Sequence, residues 1–123
     1  MKGIEYDLSQ SGFAAVLKDW QLKALQVVWN SPGGVNSRIA WQKVNENLGG
    51  STISRASIIN FLEAMREMGV LEADDRTGKG GHQYIYRMGM DEEQFKLYIA
   101  TTLIENLLRD FPMETRVALG KVL

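Results

Sequence analysis

The chain has 123 residues, 45% of them apolar, a formal charge of −1 and no cysteine. That length suits one domain with a modest core plus an appendage. Without cysteine there is no disulfide framework and no thiolate metal site, and a reducing cytoplasm is the expected compartment. No apolar run approaches the ~20 residues of a membrane span. Met1-Lys2 followed by Glu5 and Asp7 is not a secretory signal. The charge is unevenly spread: residues 19–88 balance at +1 and residues 89–123 at −2.

Residues 1–18 form an N-terminal arm. Ile4, Tyr6 and Leu8 alternate with Glu5 and Asp7, which predicts a short strand or an extended segment. Phe13 to Leu17 are too apolar for a free tail and are expected to pack on the core or on a second subunit. The first clear helix spans about Asp19 to Trp29, with Asp19 at its positive end as cap or first-turn carboxylate. Trp20, Leu22, Leu25, Val28 and Trp29 give it a wide apolar face. Ser31-Pro32-Gly33-Gly34 ends it in a turn.

A second helix runs from about Ser37 to Leu48, capped by Asn36 or Ser37. Ile39, Ala40, Val44 and Leu48 make its buried stripe, and Arg38 falls off it. Gly49-Gly50 turns the chain into a third helix, which Ser51 or Ser54 can cap. Ile58, Leu62 and Met65, with Phe61 and Met68 beside them, form one stripe at helical spacing. Arg55, Ser57 and Asn60 lie off it. Two helices joined by a tight glycine turn, the second presenting polar residues, have helix-turn-helix spacing.

Gly69 ends the third helix where positive φ is needed. Val70-Leu71 and Tyr84-Ile85-Tyr86 read as two short strands. Between Asp75 and Gln83 lies a basic loop in which Arg76, Lys79 and His82 alternate with glycines. Such a tip suits phosphates or a minor groove. It is not a nucleotide-phosphate loop, because Lys79 is followed by Gly80 rather than Ser or Thr. Helix, helix, helix, hairpin over residues 19–88 is a winged helix-turn-helix, mainly α with a small β-hairpin.

Residues 89–123 are predicted to be helical. Asp91 with Gln94 three residues on makes a capping-box start, and the helix continues to Phe111, where Pro112 forbids extension. Pro112 can then open a short last helix. Phe95, Ile99, Thr102, Leu103, Leu107 and Leu108 form an apolar stripe wider than a monomer usually exposes. A two-fold homodimer through this helix would cover it.

No catalytic constellation assembles. His82 is the only histidine, so neither a Ser-His-Asp set nor a histidine metal site is available. No enzyme activity, cofactor or metal is expected. Double-stranded DNA is the expected partner. Thr52, Ser54, Arg55, Ser57 and Asn60 are the candidate contacts on or before the third helix, Arg38 on the second, and Arg76, Lys79 and His82 on the wing. Two alternatives stand beside this reading. One is a winged helix used only for protein–protein contact, favoured by the near-neutral charge. The other adds a small-molecule pocket near Trp20, Trp29 or Trp41.

With these residues placed, the chain from about Leu17 to Arg87 resembles the penicillinase-repressor family of winged-helix regulators (the BlaI/MecI/CopY type). The resemblance rests on Asp19-Trp20-Gln21-Leu22 through Val27-Val28-Trp29, on Ser57-Ile58-Ile59-Asn60-Phe61-Leu62 before Met68-Gly69-Val70-Leu71, and on the Tyr84 to Arg87 return strand. It implies a repressor that binds palindromic operators as a homodimer joined by C-terminal helices. It also implies that Ser57 and Asn60 match the groove-facing residues of the third helix, where the family commonly carries threonines. The copper-responsive branch uses a cysteine-rich tail, which this chain lacks. The branch inactivated by cleavage is cut in its C-terminal helices, where no Asn-Phe step occurs here: Asn106 precedes Leu107.

Overall fold

The computed structural model describes residues 5–78 and 81–123. A 3-10 turn at Gly12–Ala15 precedes α1 (Asp19–Trp29), α2 (Ser37–Glu46), α3 (Arg55–Glu67), β1 (Leu71–Gly78), β2 (Gly81–Met88), α4 (Glu92–Asp110) and α5 (Pro112–Val122). The chain divides into two compact units, Met1–Gly89 and Met90–Leu123. The first is a winged helix, mainly α with one antiparallel hairpin.

Local chemistry explains each boundary in the first unit. Asn36, not Ser37, caps α2: its side-chain oxygen accepts from the Ile39 N–H at 2.8 Å. Ser54 caps α3 by accepting from the Ser57 N–H at 3.1 Å. These caps satisfy donors that an α-helix leaves unpaired in its first turn. Lysine has no acceptor to offer at the start of α1, and there the Gln21 amide oxygen takes the Lys18 N–H instead, at 2.9 Å. Asp19 sits in the first turn, where its charge faces the helix dipole. At the far end of α3, Gly69 takes φ +79°. Its N–H then reaches the Arg66 carbonyl and that of Val70 reaches the Met65 carbonyl, both at 3.0 Å. The two bonds together stop the helix and aim the chain into β1.

The core lies where the three helices meet the base of the hairpin. Leu25, Val28, Val44, Ile58, Leu62, Val70 and Leu71 are buried almost completely, each such burial contributing about 1.5–3 kcal/mol. β1 and β2 pair from Leu71↔Met88 to Gly78↔Gly81. Val35 adds one more rung: its N–H donates to Tyr86 at 3.0 Å, and Tyr86 donates back at 2.8 Å. The order is therefore Val35, β2, β1.

Three expectations fail. Ile39, expected on the buried stripe of α2, is exposed, and α2 ends at Glu46, before Leu48. The segment between Asp75 and Gln83 is not a long loop, because both strands continue through it as far as Gly78 and Gly81. Asp75, Arg76, Thr77 and Gln83 are all exposed. A ribbon wet on both faces carries no alternating apolar signal. In the arm, Tyr6 and Leu8 form no strand. Asp7 instead makes a tight turn, accepting from the Ser9 N–H at 2.9 Å and the Ser9 hydroxyl at 2.6 Å. Ile4 lies outside the described residues. The later part of the arm packs on the winged unit: Ala15 and Leu17 are buried, and the Phe13 ring lies 5.7 Å from that of Trp29.

The second unit is a helical hairpin. Asp91 and Gln94 exchange both capping bonds, at 2.8 and 2.7 Å. Pro112 occupies the first turn of α5, and the Thr115 hydroxyl donates to the Leu107 carbonyl at 3.0 Å. Of the stripe expected to form a seam, Phe95 and Thr102 are buried within the single chain. Ile99, Leu103 and Leu108 are half-buried, and Leu107 is exposed. The open apolar surface is instead carried by Leu97, Ile104, Leu107, Phe111, Met113 and Val117. Part of it is a groove of about 290 Å³ between α4 and α5, lined by Ile104, Leu107, Phe111, Ala118, Leu119 and Val122.

Gly34 is a tightly enclosed backbone position of the first unit. Its φ is +89°, and a Cβ there would collide with the Ile85 side chain and stand 3.2 Å from the Tyr86 carbonyl oxygen. Gly34→Ala is expected to destabilise the protein by about 1–3 kcal/mol from the backbone alone, and by more once Ile85 is displaced. Urea unfolding measures it. A Gly34→Ala protein with wild-type stability would contradict this packing.

Candidate nucleic-acid interface

The start of α3 is held in place before any side chain is presented. Gly49 and Gly50 turn the chain at φ +61° and +104°. After a long bond from the Ser51 N–H to the Leu48 carbonyl at 3.4 Å, the next anchored residue is Ile53. The Asn45 side chain accepts from the Ile53 N–H at 2.8 Å and donates to the Ile53 carbonyl at 3.2 Å. The Trp41 indole N–H donates to the same carbonyl at 2.9 Å. Thr52, Ser54 and Arg55 flank this clamp, and all three are exposed.

Along α3, Ile58, Phe61, Leu62 and Met65 face the core, while Ala56, Ile59, Asn60 and Glu67 face outward. Ser54 is occupied as the cap, and its hydroxyl lies 2.9 Å from that of Ser57. Ser57 is half-buried on the side toward α1. With Asn60 it lines a shallow depression of about 330 Å³ that also includes Leu17, Trp20, Phe61 and Met68. Asn60 is exposed at the rim; Ser57 sits deeper.

Arg38 lies exposed in the first turn of α2, and Arg76 lies exposed on β1 opposite Gln83. The Asn36 amide donates to the Gln83 side chain at 3.2 Å. That bond brings the start of α2, and with it Arg38, beside the rung that carries Arg76. Among the described residues, no carboxylate pairs with Arg38, Arg55 or Arg76. Three further cations of this unit are paired: Lys23 with Asp19, Arg66 with Glu63, and Arg87 with Glu72 and Asp74. Lys79 lies outside the described residues, as does the side chain of His82, whose backbone pairs with Thr77.

Two groups escaped sequence reasoning. One is the Asn45–Trp41 clamp, whose only hint was an asparagine inside a helix, where its propensity is poor. The other joins α3 to β2. The Tyr86 hydroxyl donates to Glu63 at 2.6 Å, Arg66 meets the other Glu63 oxygen at 3.3 Å, and the Arg66 guanidinium lies 4.7 Å from the centre of the Tyr84 ring. Burial first, then the bond to Glu63, push the Tyr86 phenol well above its usual range.

The three tryptophans occupy separate places. Trp20 meets the Phe61 ring edge-on at 5.6 Å, Trp29 lies against Phe13, and Trp41 is spent on Ile53. Among the described residues no group of His, Asp and Glu could hold a metal ion, and no helix is long and apolar enough to cross a membrane.

No protein-family model matches the chain, and no curated protein matches it. Solved structures do. A Thermoplasma acidophilum protein provisionally described as a transcriptional regulator superposes with a TM-score of 0.52 at 19% identity, covering 74% of this chain and 90% of that one. A Methanosarcina mazei protein, also provisionally described as a transcriptional regulator, gives 0.55 at 13% identity over 86% of this chain and 79% of that one. These likenesses show a shared fold.

The clamp makes a specific demand. Asn45→Ala leaves the Ile53 N–H without its partner, and an unsatisfied group of this kind costs about 1–3 kcal/mol. The loss is expected in denaturant unfolding, with the Trp41 emission altered in the native state. Unchanged stability and emission would remove the clamp from the account of how α3 is held.

Proposed function

We propose that the protein is a DNA-binding transcriptional regulator of the penicillinase-repressor type, a cytoplasmic repressor that binds a palindromic operator as a homodimer. The observation that carries the reading is the set of exposed arginines at the start of α2, at the start of α3 and on the wing, none of them paired with a carboxylate among the described residues. Phosphate contacts from such cations supply most of non-specific affinity. Polar groups near a helix start then read base edges in the major groove. Arg55 and Asn60 fit that second role best, because both are exposed. Ser57, half-buried and bonded to Ser54, fits it less well. Arg38, Arg76 and Lys79 fit phosphate contact.

The second unit supports assembly. Leu107, Ile104 and Phe111 form an apolar face around a groove, and a two-fold pairing of like faces would cover it. It would also join two half-sites, which multiplies affinity without new contacts.

A second reading has its own support. Glu67 is exposed on the outer face of α3 and the chain is slightly acidic, which suits a winged helix that docks on a protein. Selecting bound duplexes from a random DNA library separates the two. Enrichment of a symmetric site supports the regulator, and no enrichment at low salt sinks it.

On the selected site, Arg55→Ala or Asn60→Ala is expected to cost about 1–3 kcal/mol and to relax preference at one position. Arg76→Ala or Lys79→Ala is expected to weaken all duplexes alike and to lower the salt slope by about one. Equal losses on operator and random DNA for Arg55→Ala would reduce that residue to a phosphate contact. Leu107→Asp puts a charge on the apolar face. Sedimentation is expected to give a folded monomer with weakened operator binding, and a wild-type protein that stays monomeric at micromolar concentration would defeat the dimer.

A further inference from the structure

We propose that Tyr86, Glu63, Arg66 and Tyr84 form a latch that fixes the angle between the wing and α3, so that helix and wing engage one duplex together. The proposal rests on the DNA-binding reading and adds to it a set of positioning residues that need not touch DNA.

The need for a latch follows from the build of the wing. Its base is anchored: Leu71, Ile85 and Tyr86 are buried, and Val35 bonds Tyr86 in both directions. Beyond the Asp75↔Tyr84 rung the ribbon has only two strands, and Arg76, Thr77 and Gln83 are exposed. A two-stranded ribbon is marginal by itself. Tyr86 pairs with Ala73, and five rungs farther on Gly78 pairs with Gly81. At about 3.3 Å per residue, the outermost pair stands roughly 15 Å beyond the base. A tilt of ~10° over that length moves it by about 3 Å, more than a hydrogen bond to phosphate tolerates.

The four side chains lie where such a tilt is best resisted. Residues of β2 two apart share a face, so Tyr84 and Tyr86 both point toward α3, with ring centroids 6.3 Å apart. Glu63 and Arg66 are three apart on α3 and meet them from the other side. Glu63 uses one oxygen for the Tyr86 hydroxyl at 2.6 Å and the other for Arg66 at 3.3 Å. Arg66 reaches one step farther along the ribbon, to the Tyr84 ring at 4.7 Å. A cation over an aromatic face is attracted by it. On the opposite face the only side-chain tie to α2 among the described residues is the Asn36–Gln83 bond, at 3.2 Å. The ribbon is thus gripped from both sides, at Tyr84 and Gln83, where its exposed part begins. The latch also keeps the Glu63 carboxylate engaged on a helix proposed to approach phosphates.

The test is Tyr86→Phe, which removes one hydroxyl and keeps the buried ring. Binding is measured against salt on the selected operator and on a random duplex. The expected result is a roughly tenfold loss on the operator, in line with a hydrogen bond to a charged group, a salt slope lowered by about one, and unchanged base preference. Glu63→Gln is expected to weaken the operator in the same way. If Glu63 acted only by repelling phosphate, that variant would instead tighten every duplex, and the latch would be overturned. An unchanged salt slope in Tyr86→Phe also overturns it. Should Tyr86→Phe fail to fold, Arg66→Gln keeps the buried tyrosine and carries the same expectation. Should the wild-type protein bind no duplex, the DNA reading fails while the latch is still measured. Amide exchange in Asp74–Thr77 and Gln83–Ile85 is then expected to rise in Tyr86→Phe with exchange in α1–α3 unchanged, and no rise overturns it.

Discussion

The side chain of Asn45 closes on both backbone polar groups of Ile53, and the presentation of α3 depends on that grip. The turn that precedes it contains two glycines at positive φ, which a flexible chain leaves readily. Without an anchor, the start of α3 would be fixed only by its own cap at Ser54. The clamp is built on α2, whose Ala40 and Val44 are buried in the core. It therefore transfers the rigidity of the core to a turn whose own apolar residues, Leu48 and Ile53, are only half-buried. Trp41 adds a second bond to the Ile53 carbonyl. From there the buried stripe of Ile58, Phe61, Leu62 and Met65 fixes the helix rotation, and Gly69 fixes its end.

Much of this frame was legible in the chain. Capping residues announce themselves because the chemistry is local: Asn36, Ser54 and Asp91 each serve the N–H three residues on. Gly69 was legible for the same reason, since few residues accept its φ. The failures have one cause in common. The wing between Asp75 and Gln83 is strand without an apolar face, so periodicity could not report it. Alternation at Tyr6 and Leu8 suggested a strand, yet a strand needs a neighbour, and Asp7 bonding Ser9 offered a local alternative. The Asn45 clamp and the Tyr86–Glu63 bond join residues that no spacing rule connects. Pattern tells which face a residue is on, but not which side chain meets it there.

The second unit illustrates the same limit. The stripe read along α4 was sound as a helix period, and Phe95 and Thr102 are indeed inward. What period alone could not divide was the part of the stripe that is satisfied within the chain and the part left open. The fold of α5 against α4, tied by Thr115 to the Leu107 carbonyl, sets that division at the C-terminal end of α4. It leaves Leu107 and Ile104 at the edge of a groove floored partly by α5 residues. An apolar face made by two helices is shaped, whereas a face on one helix is a ridge, and a shaped face restricts which partner surfaces can fill it.

Net charge is a poor guide to what the first unit can bind, because ion pairing takes four of its carboxylates out of play together with three of its cations. Asp19, Glu63, Glu72 and Asp74 each lie against a cation. Such exposed pairs add little to stability, on the order of 0–1 kcal/mol each. Their larger effect is on the field: a pair of opposite charges fades with distance faster than a single charge does. Arg38, Arg55 and Arg76 have no such partner among the described residues, so each acts as a full charge. At physiological salt, screening confines that influence to about 8 Å. Within that range an approaching anion responds to the nearest unpaired arginine, and the sum over the whole chain has little bearing. The negative balance of residues 89–123 belongs to the other compact unit. An acidic chain can thus carry a locally cationic surface at the starts of its helices, and the deciding feature is which carboxylates are already engaged.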